Sequence, residues 1–274
     1  MNIRYNRKGV AWLVLLGVVF LNGIVLAGSA EEQGLALARQ VYDAPRGDDF
    51  AGRAIMTLRE RGSKPRSREM LVFHVQKRPG ERWSLTRFLK PADVRGVAVL
   101  TRDHPGDKSE QWLYLPALGR VRRISASRKG GRFVGSDVYF EDLRDREVEM
   151  DRHRYLGKRK LGKIVCKVLE SVPVDPDNSV YTKRVSWIHP KSLLALRVDF
   201  YQAHSSKPVK RLQARRIRKV QGVWTVMDSV MKDLESGHRT RIRYTRVKYN
   251  QKLPDGLFTS RSLADERAGL AYAP

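Results

Sequence analysis

The sequence predicts a mainly β protein, a curved antiparallel sheet or partial barrel that encloses one apolar face. Short segments in which apolar and polar residues alternate fill most of the chain, and turn-forming residues separate them. Only residues 31–44 show the period of an amphipathic helix, which Pro45 should end. Alternation with a basic outer face is typical of an antiparallel sheet buried on one side, and roughly ten such segments would suffice to curve it.

Residues 1–30 are typical of a secretory signal peptide. Basic residues precede an apolar run at 10–26, and small residues follow it. We expect cleavage after Ala27 or after Ala30, which leaves one domain over 31–274. A single membrane anchor is the alternative, although the run is just shorter than the roughly 18 residues that indicate a spanning helix. The N-terminus therefore predicts an exported, periplasmic protein.

The chain is strongly basic. Its formal net charge of +25 falls to +22 when the three basic residues of the signal peptide are removed. Such a charge predicts an anionic partner, and export argues for an anionic membrane surface and against nucleic acid. The simpler alternative is that the Arg and Lys side chains form the solvated face of the strands.

Two segments make specific predictions about strands. In residues 82–89 the apolar positions alternate with a polar set that we expect on the outer face, namely Arg82, Ser84 and Thr86. In residues 239–249 the apolar positions change phase between Tyr244 and Val247, which predicts either a β-bulge or a strand that bends around a corner.

Residues 126–152 break the alternation and predict a lid or an inserted loop. Glycines punctuate this segment, and its many carboxylates make it acidic. The candidate lid residues are Gly135, Ser136, Asp137, Tyr139 and Leu143. Ser136 is the nearest candidate for a nucleophile, but it lacks a G-x-S-x-G turn, and Gly-Ser is more typical of a turn that caps a helix.

The search for catalytic and metal-binding motifs is negative. The six histidines have no metal-ligand spacing, no calcium-loop pattern occurs among the carboxylates, and no phosphate-binding glycine loop is present. The lone Cys166 lies in an apolar strand, can form no internal disulfide and is expected to be inert packing. We therefore expect no metal, no cofactor and no catalysis.

Residues 110–125 predict a β-hairpin with its turn at 116–119. The first strand is apolar on both faces. Trp112 and Tyr114 share one face, and Leu113 and Leu115 share the other. Such a strand is either the packed centre of a sheet or the lining of a cavity, and the pattern alone leaves both open.

Short blocks of sequence occur in a fixed order between Asp49 and Leu263. They are Arg87-Phe88, 91–96, 111–116, 121–124, Gly135-Ser136-Asp137, Tyr139, 141–143 and Phe258-Thr259. Together they resemble the larger branch of the outer-membrane lipoprotein-sorting family, the LolA/LolB-like periplasmic carriers. The chain departs from that family at Val138, where an aromatic residue is usual, and in its strong positive charge.

The resemblance implies a half-open β-barrel around an apolar cavity, with short helices as a lid. It also implies a non-catalytic carrier that moves acyl-bearing cargo, a lipoprotein or a lipid, between envelope membranes; an inner-membrane exporter is a candidate donor. The residues that we expect to line the cavity or its mouth are Phe88, Trp112, Tyr114, Leu115, Arg120, Arg122 and Arg123. Two other functions stay open, a hydrolase of envelope lipids that uses Ser136 or the acidic loop, and a structural adaptor with a closed core.

Overall fold

The computed structural model describes residues 28–106, 108–125 and 129–274. Within these ranges, thirteen strands form one curved, unclosed antiparallel sheet, so the predicted fold class is confirmed. The strands are β1 (Asp49–Arg59), β2 (Arg66–Arg78), β3 (Glu81–Lys90), β4 (Ala98–His104), β5 (Lys108–Leu115), β6 (Arg120–Arg123), β7 (Asp151–Leu161), β8 (Ile164–Pro173), β9 (Lys183–Ile188), β10 (Ala195–Tyr201), β11 (Lys210–Val220), β12 (Val223–Asp233) and β13 (Arg239–Tyr249).

The order of the strands places the predicted inserted loop between the two edges of the sheet. From the centre, β1 to β6 follow one another outward to one edge. The chain then begins again at the opposite edge with β7 and returns to β13, which pairs with β1. The segment between β6 and β7 therefore connects the two edges, and we call residues 129–150 of this segment the insert.

The insert packs on one face of the sheet, which we call the inner face. This face presents Met56, Met70, Val72, Phe88 and Val99, all buried. Buried apolar side chains of the insert complete the cluster, namely Phe133, Val138 and Phe140. Burial of apolar area against the sheet is the main term that stabilises this otherwise irregular segment.

The opposite, outer face of β2 to β5 is covered by the C-terminal segment 253–273. Phe73, Leu85 and Leu100 pack there against Phe258, which is fully buried. The side chain of Arg87 donates hydrogen bonds to backbone carbonyls of this segment, which fixes it on the sheet. These strands are thus buried on both faces.

The expectation that Arg82, Ser84 and Thr86 lie on an exposed outer face was wrong. In β3 they lie on the inner face, where all three line a cavity, and the apolar residues Trp83 and Leu85 lie on the outer face under the C-terminal segment. Alternation assigned the two faces correctly relative to each other, but a strand covered on both sides has no solvated face.

Helix α1 (Ala30–Tyr42) begins one residue before the predicted segment and ends before Pro45. Ser29 is its N-cap and forms a capping box with Glu32. The helix packs Leu37 and Ala38 against the inner-face residues of β8 and β9. The second helix of the described residues, α2 (Ser260–Ala264), belongs to the C-terminal segment, and no helix in these ranges is long and apolar enough to cross a membrane.

Three local predictions are confirmed. The register of β1 with β13 shifts between Arg53 and Ala54, which leaves Thr245 as the extra residue of a bulge. The hairpin turn at 116–119 ends on Gly119 in a left-handed conformation. Cys166 is fully buried in β8, and burial raises the pKa of its thiol. The predicted signal peptide lies outside the described residues, except for 28–30.

Candidate functional site

A cavity of about 300 Å³ lies between the inner face of the sheet and the insert. One side of it is apolar, with side chains from four strands and from the insert. These are Met56, Met70, Val72, Val99 and Ile242 from the sheet, and Phe133, Val138 and Leu143 from the insert. This volume is at the lower end of the range for small-molecule sites, about 300 to 1,000 Å³.

The other side of this cavity is charged. Asp103 accepts a hydrogen bond from the backbone N–H of Asp145 at 2.9 Å, and the Arg144 Nε lies 3.9 Å from the Asp103 Oδ1. Arg82 and His74 complete this side. Burial raises the pKa of Asp103 to about 6, because the carboxylate has lost much of its solvent.

A second cavity of about 590 Å³ lies on the same inner face, toward the end of α1 and the start of β10. Its lining includes Phe50, Leu193 and Trp224. His74, Arg82 and Tyr244 line both cavities, so these three side chains stand at the junction between them. The inner face thus offers two partly open chambers with a polar junction.

Buried carboxylates hold the insert on the basic sheet. Asp137 is fully buried, and both of its oxygens lie within 2.8 Å of the His238 Nδ1. The Thr240 hydroxyl donates to it at 2.8 Å, and Arg132 lies 3.5 Å away. Glu141 of the same insert accepts a hydrogen bond from the Val180 N–H at 2.6 Å.

The third buried carboxylate of the insert, Asp142, contacts an aromatic cluster around a buried lysine. The Lys210 Nζ donates to Asp142 at 2.6 Å and lies 3.6 Å from the centre of the Tyr139 ring. The Tyr181 hydroxyl donates to Asp142 at 2.9 Å. Burial lowers the pKa of Lys210 and raises that of Tyr181, but the ion pair opposes the first shift. The acidic composition of the insert is therefore explained by its buried basic partners.

The structure divides the predicted cavity-lining residues between the two faces. Phe88 lies in the inner-face cluster, and Leu115 and Leu113 pack against it. Trp112 and Tyr114 lie on the outer face, where they pack under the C-terminal segment. Their placement therefore differs from the expectation, because β5 is covered on both faces and its aromatic face meets the C-terminal segment and not the cavities.

The three candidate arginines lie on the edge strand β6. Arg120 pairs with Leu115, and Arg122 pairs with Leu113. Both arginines therefore lie on the inner-face side of the sheet, at its edge. Arg123 is on the other side, opposite Trp112, and forms a 2.9 Å ion pair with Glu110. All three are exposed.

The candidate lid residues occupy different parts of the insert. Gly135 adopts a left-handed conformation with φ 68°, and Leu143 lines the first cavity. Ser136 is fully buried, and its hydroxyl contacts the backbone of Val138, at 3.2 Å from the N–H. His238 is bonded to Asp137 and not to Ser136, so this geometry does not favour Ser136 as a nucleophile.

Sequence reasoning missed the polar junction of His74, Arg82 and Tyr244. One signal was present: residues 70–73 of β2 form an unbroken apolar run, which is typical of a strand covered on both faces. Had both faces been expected to be buried, the polar side chains that follow in β2 and β3 would have been assigned to an interior.

Comparisons with known proteins agree with this architecture. A family model described as an uncharacterized protein matches residues 80–265. A crystal structure named as an outer-membrane lipoprotein-sorting protein domain, from Vibrio parahaemolyticus, is 30% identical with a TM-score of 0.81, over 85% of this chain and 99% of that one. A DUF1329 family protein from Desulfovibrio piger is 29% identical with a TM-score of 0.82, over 86% and 100%.

A LolA superfamily protein from Nitrosomonas europaea shares the fold, with a TM-score of 0.64 at 19% identity, over 85% of this chain and 98% of that one. No curated protein matches the chain. The single curved sheet, the interior under the insert and the similarity over the whole length of the Vibrio domain lead to one assignment. The chain belongs to the outer-membrane lipoprotein-sorting family of LolA-like proteins.

Proposed function

We propose that this protein is a periplasmic carrier. It binds acyl-bearing cargo, a lipoprotein or a lipid, in the chambers of the inner face and moves it between envelope membranes without catalysis. The carrier is a single domain over 31–274, exported through a signal peptide. Cleavage after Ala27 fits α1 better than cleavage after Ala30, because it keeps the N-cap Ser29 in the mature chain.

The observation that supports this proposal is the interior itself. An unclosed sheet leaves one apolar face that its own strands do not cover, and the insert and α1 cover it only in part, with two chambers beneath them. A long acyl chain in water costs on the order of 10 kcal/mol at about 0.8 kcal/mol per CH₂. A protected apolar surface is therefore what such cargo needs to cross an aqueous space.

Within this proposal the predicted residues keep distinct roles. Phe88 and Leu115 belong to the lining of the inner face, and Arg120 and Arg122 lie beside it at the sheet edge, where a head group in transit would meet positive charge. The exporter and the anionic membrane are the proposed donor and docking surface.

Lipid mass spectrometry on gently purified mature protein tests the proposal. Wild-type protein should retain an acyl-bearing molecule. Ser84→Trp places a large ring in the first cavity, which removes the space for two or more methylene groups of the acyl chain. The variant should therefore retain about tenfold less lipid than wild type. Ser67→Trp on the exposed part of the neighbouring strand is the matched control and should retain its cargo. A protein that binds no lipid before or after mutation would be a structural adaptor instead.

A further inference from the structure

Arg82 projects from β3 into the polar junction without a hydrogen-bond acceptor. Its nearest carboxylate oxygen is the Asp145 Oδ1, at 3.8 Å, which is beyond hydrogen-bond distance. Asp145 is already engaged, because Arg46 donates to its two oxygens at 2.9 and 3.1 Å. Among the residues that the structure describes, none accepts a hydrogen bond from Arg82, although a guanidinium has five donors.

A second donor without a partner lies beside Arg82. The His74 Nδ1 is shielded from solvent and has no hydrogen-bond partner within the described ranges. The ring packs against Phe50, with the two ring centres 5.3 Å apart. Burial and the nearby Arg82 and Arg46 hold the pKa of His74 well below its ordinary value, so the imidazole is neutral and can donate one hydrogen bond.

Two carboxylates near this junction already have other basic partners. Arg46 donates to both oxygens of Asp145, and Asp142, which also lines the first cavity, accepts a hydrogen bond from Lys210. Burial raises the pKa of Asp103 to about 6, which weakens its negative charge further under mildly acidic conditions. Buried charges are normally paired, but Arg82 has no carboxylate oxygen of the described residues within hydrogen-bond distance.

We propose that the cargo is an anionic amphiphile whose carboxylate or phosphate group binds Arg82 and His74 at the junction of the two chambers. This inference rests on the proposed carrier function and narrows its cargo. The acyl chain then lies along the apolar side of the first cavity, against Met56, Val72 and Ile242.

Both the anionic head group and the acyl chain of such a ligand have suitable partners at this site. A planar guanidinium matches a carboxylate or phosphate with two parallel hydrogen bonds, and such charge-assisted bonds are the strong ones. The anion would supply the acceptors that Arg82 lacks and would pair with its charge. The apolar side of the cavity adjoins the same junction, so head group and chain are accommodated together.

Binding titrations with delipidated mature protein test the inference. The ligands share one chain and differ in the head group: dodecanoate, dodecyl phosphate and the uncharged dodecanol. Acetate and inorganic phosphate present the anion without a chain. Wild-type protein should bind the two charged chains at least about tenfold more tightly than dodecanol. Acetate and inorganic phosphate should compete only weakly.

Arg82→Met keeps an unbranched stem similar to the aliphatic part of arginine but removes the guanidinium and its charge. It should weaken binding of the two charged chains at least about tenfold, so that they lose their preference over dodecanol, whereas Arg82→Lys should keep part of the preference. Arg59→Met, on the exposed end of β1, is the matched control and should bind as wild type does.

The outcomes separate this inference from the carrier function on which it rests. Equal binding of dodecanol and dodecanoate by wild type would refute the anionic cargo but leave a carrier. Binding of none of the chains would refute the carrier itself. Competition by inorganic phosphate as tight as dodecyl phosphate would indicate a small-anion site. The comparison among ligands needs no variant, so it stands even if Arg82→Met does not fold.

Discussion

At the scale of single residues, burial of Asp103 disfavours the charged form of its carboxylate. Its carboxylate is nearly excluded from solvent and has a pKa of about 6 in the folded protein, against an ordinary value of 3.8. Between these two values the folded state keeps a proton that the unfolded state has lost. The free energy of unfolding must therefore fall as the pH rises through this window.

Asp103→Asn should remove this dependence, because an amide is neutral at every pH. Relative to the variant, wild type should lose up to about 3 kcal/mol of stability between pH 4 and pH 7. Urea unfolding of both proteins at the two pH values measures the difference. Asp255→Asn, in an exposed ion pair with Lys77, should change stability by less than about 1 kcal/mol at either pH. A constant difference between wild type and Asp103→Asn would contradict the assigned pKa.

At the scale of elements, the insert depends on buried pairing. It has only short turns of 3₁₀ helix and one isolated β-bridge among the described residues. Its apolar side chains pack on the inner face, and its carboxylates meet basic groups of the sheet. Breaking one such pair leaves a buried charge without its partner, which costs more than the pair itself stabilises.

Asp142→Asn is expected to destabilise the protein by about 3 to 5 kcal/mol, because it leaves Lys210 buried without a countercharge. The double variant Asp142→Asn/Lys210→Met should recover most of that loss. Glu149→Gln removes a carboxylate of the same insert from an exposed pair with Arg39 and should cost less than about 1 kcal/mol. Thermal and urea unfolding give all three values. Equal, small effects of Asp142→Asn and Glu149→Gln would show that the buried pair does not hold the insert.

At the scale of the whole molecule, the positive charge is concentrated where no other segment covers the sheet. The outer face of β13 presents a row of exposed basic residues: Arg239, Arg241, Arg243, Arg246 and Lys248. Within the described ranges, Arg241 is the member of this row that forms an ion pair, with Asp228. The C-terminal segment covers β2 to β5, and among the described residues no side chain of β13 belongs to the apolar cluster beneath that segment.

If this row docks on an anionic membrane, Arg243→Glu/Arg246→Glu should lower vesicle affinity at least about tenfold, since each contact is worth about 1 kcal/mol. Binding should rise with anionic lipid content and fall with added salt, which screens charges beyond roughly 8 Å at physiological ionic strength. Vesicle sedimentation measures both trends. Arg159→Glu/Lys160→Glu, exposed at the far edge of the sheet, is the control of equal charge. Equal binding to neutral vesicles would remove electrostatics from the docking proposal.

The sequence by itself determined the features that depend on near neighbours. Alternation with a period of two predicted the sheet, and Pro116 to Gly119 predicted the hairpin turn. A change of phase after Tyr244 predicted a bulge or a bend, and the structure has a bulge at Thr245. The apolar flanks of Cys166 predicted its burial. Each of these is decided by residues that lie within a few positions of one another, so it can be read from a single segment.

Only the tertiary structure decided which face of a strand lines the interior. In β5 the aromatic and the aliphatic face are equally apolar, and the choice between Trp112 and Leu113 was made by segments distant in sequence. The C-terminal segment covers the outer face and the insert covers the inner one. The same two coverings turned Arg82 from an expected surface residue into part of a cavity. Period-two alternation separates two faces, but what each face contacts depends on long-range packing that no local pattern contains.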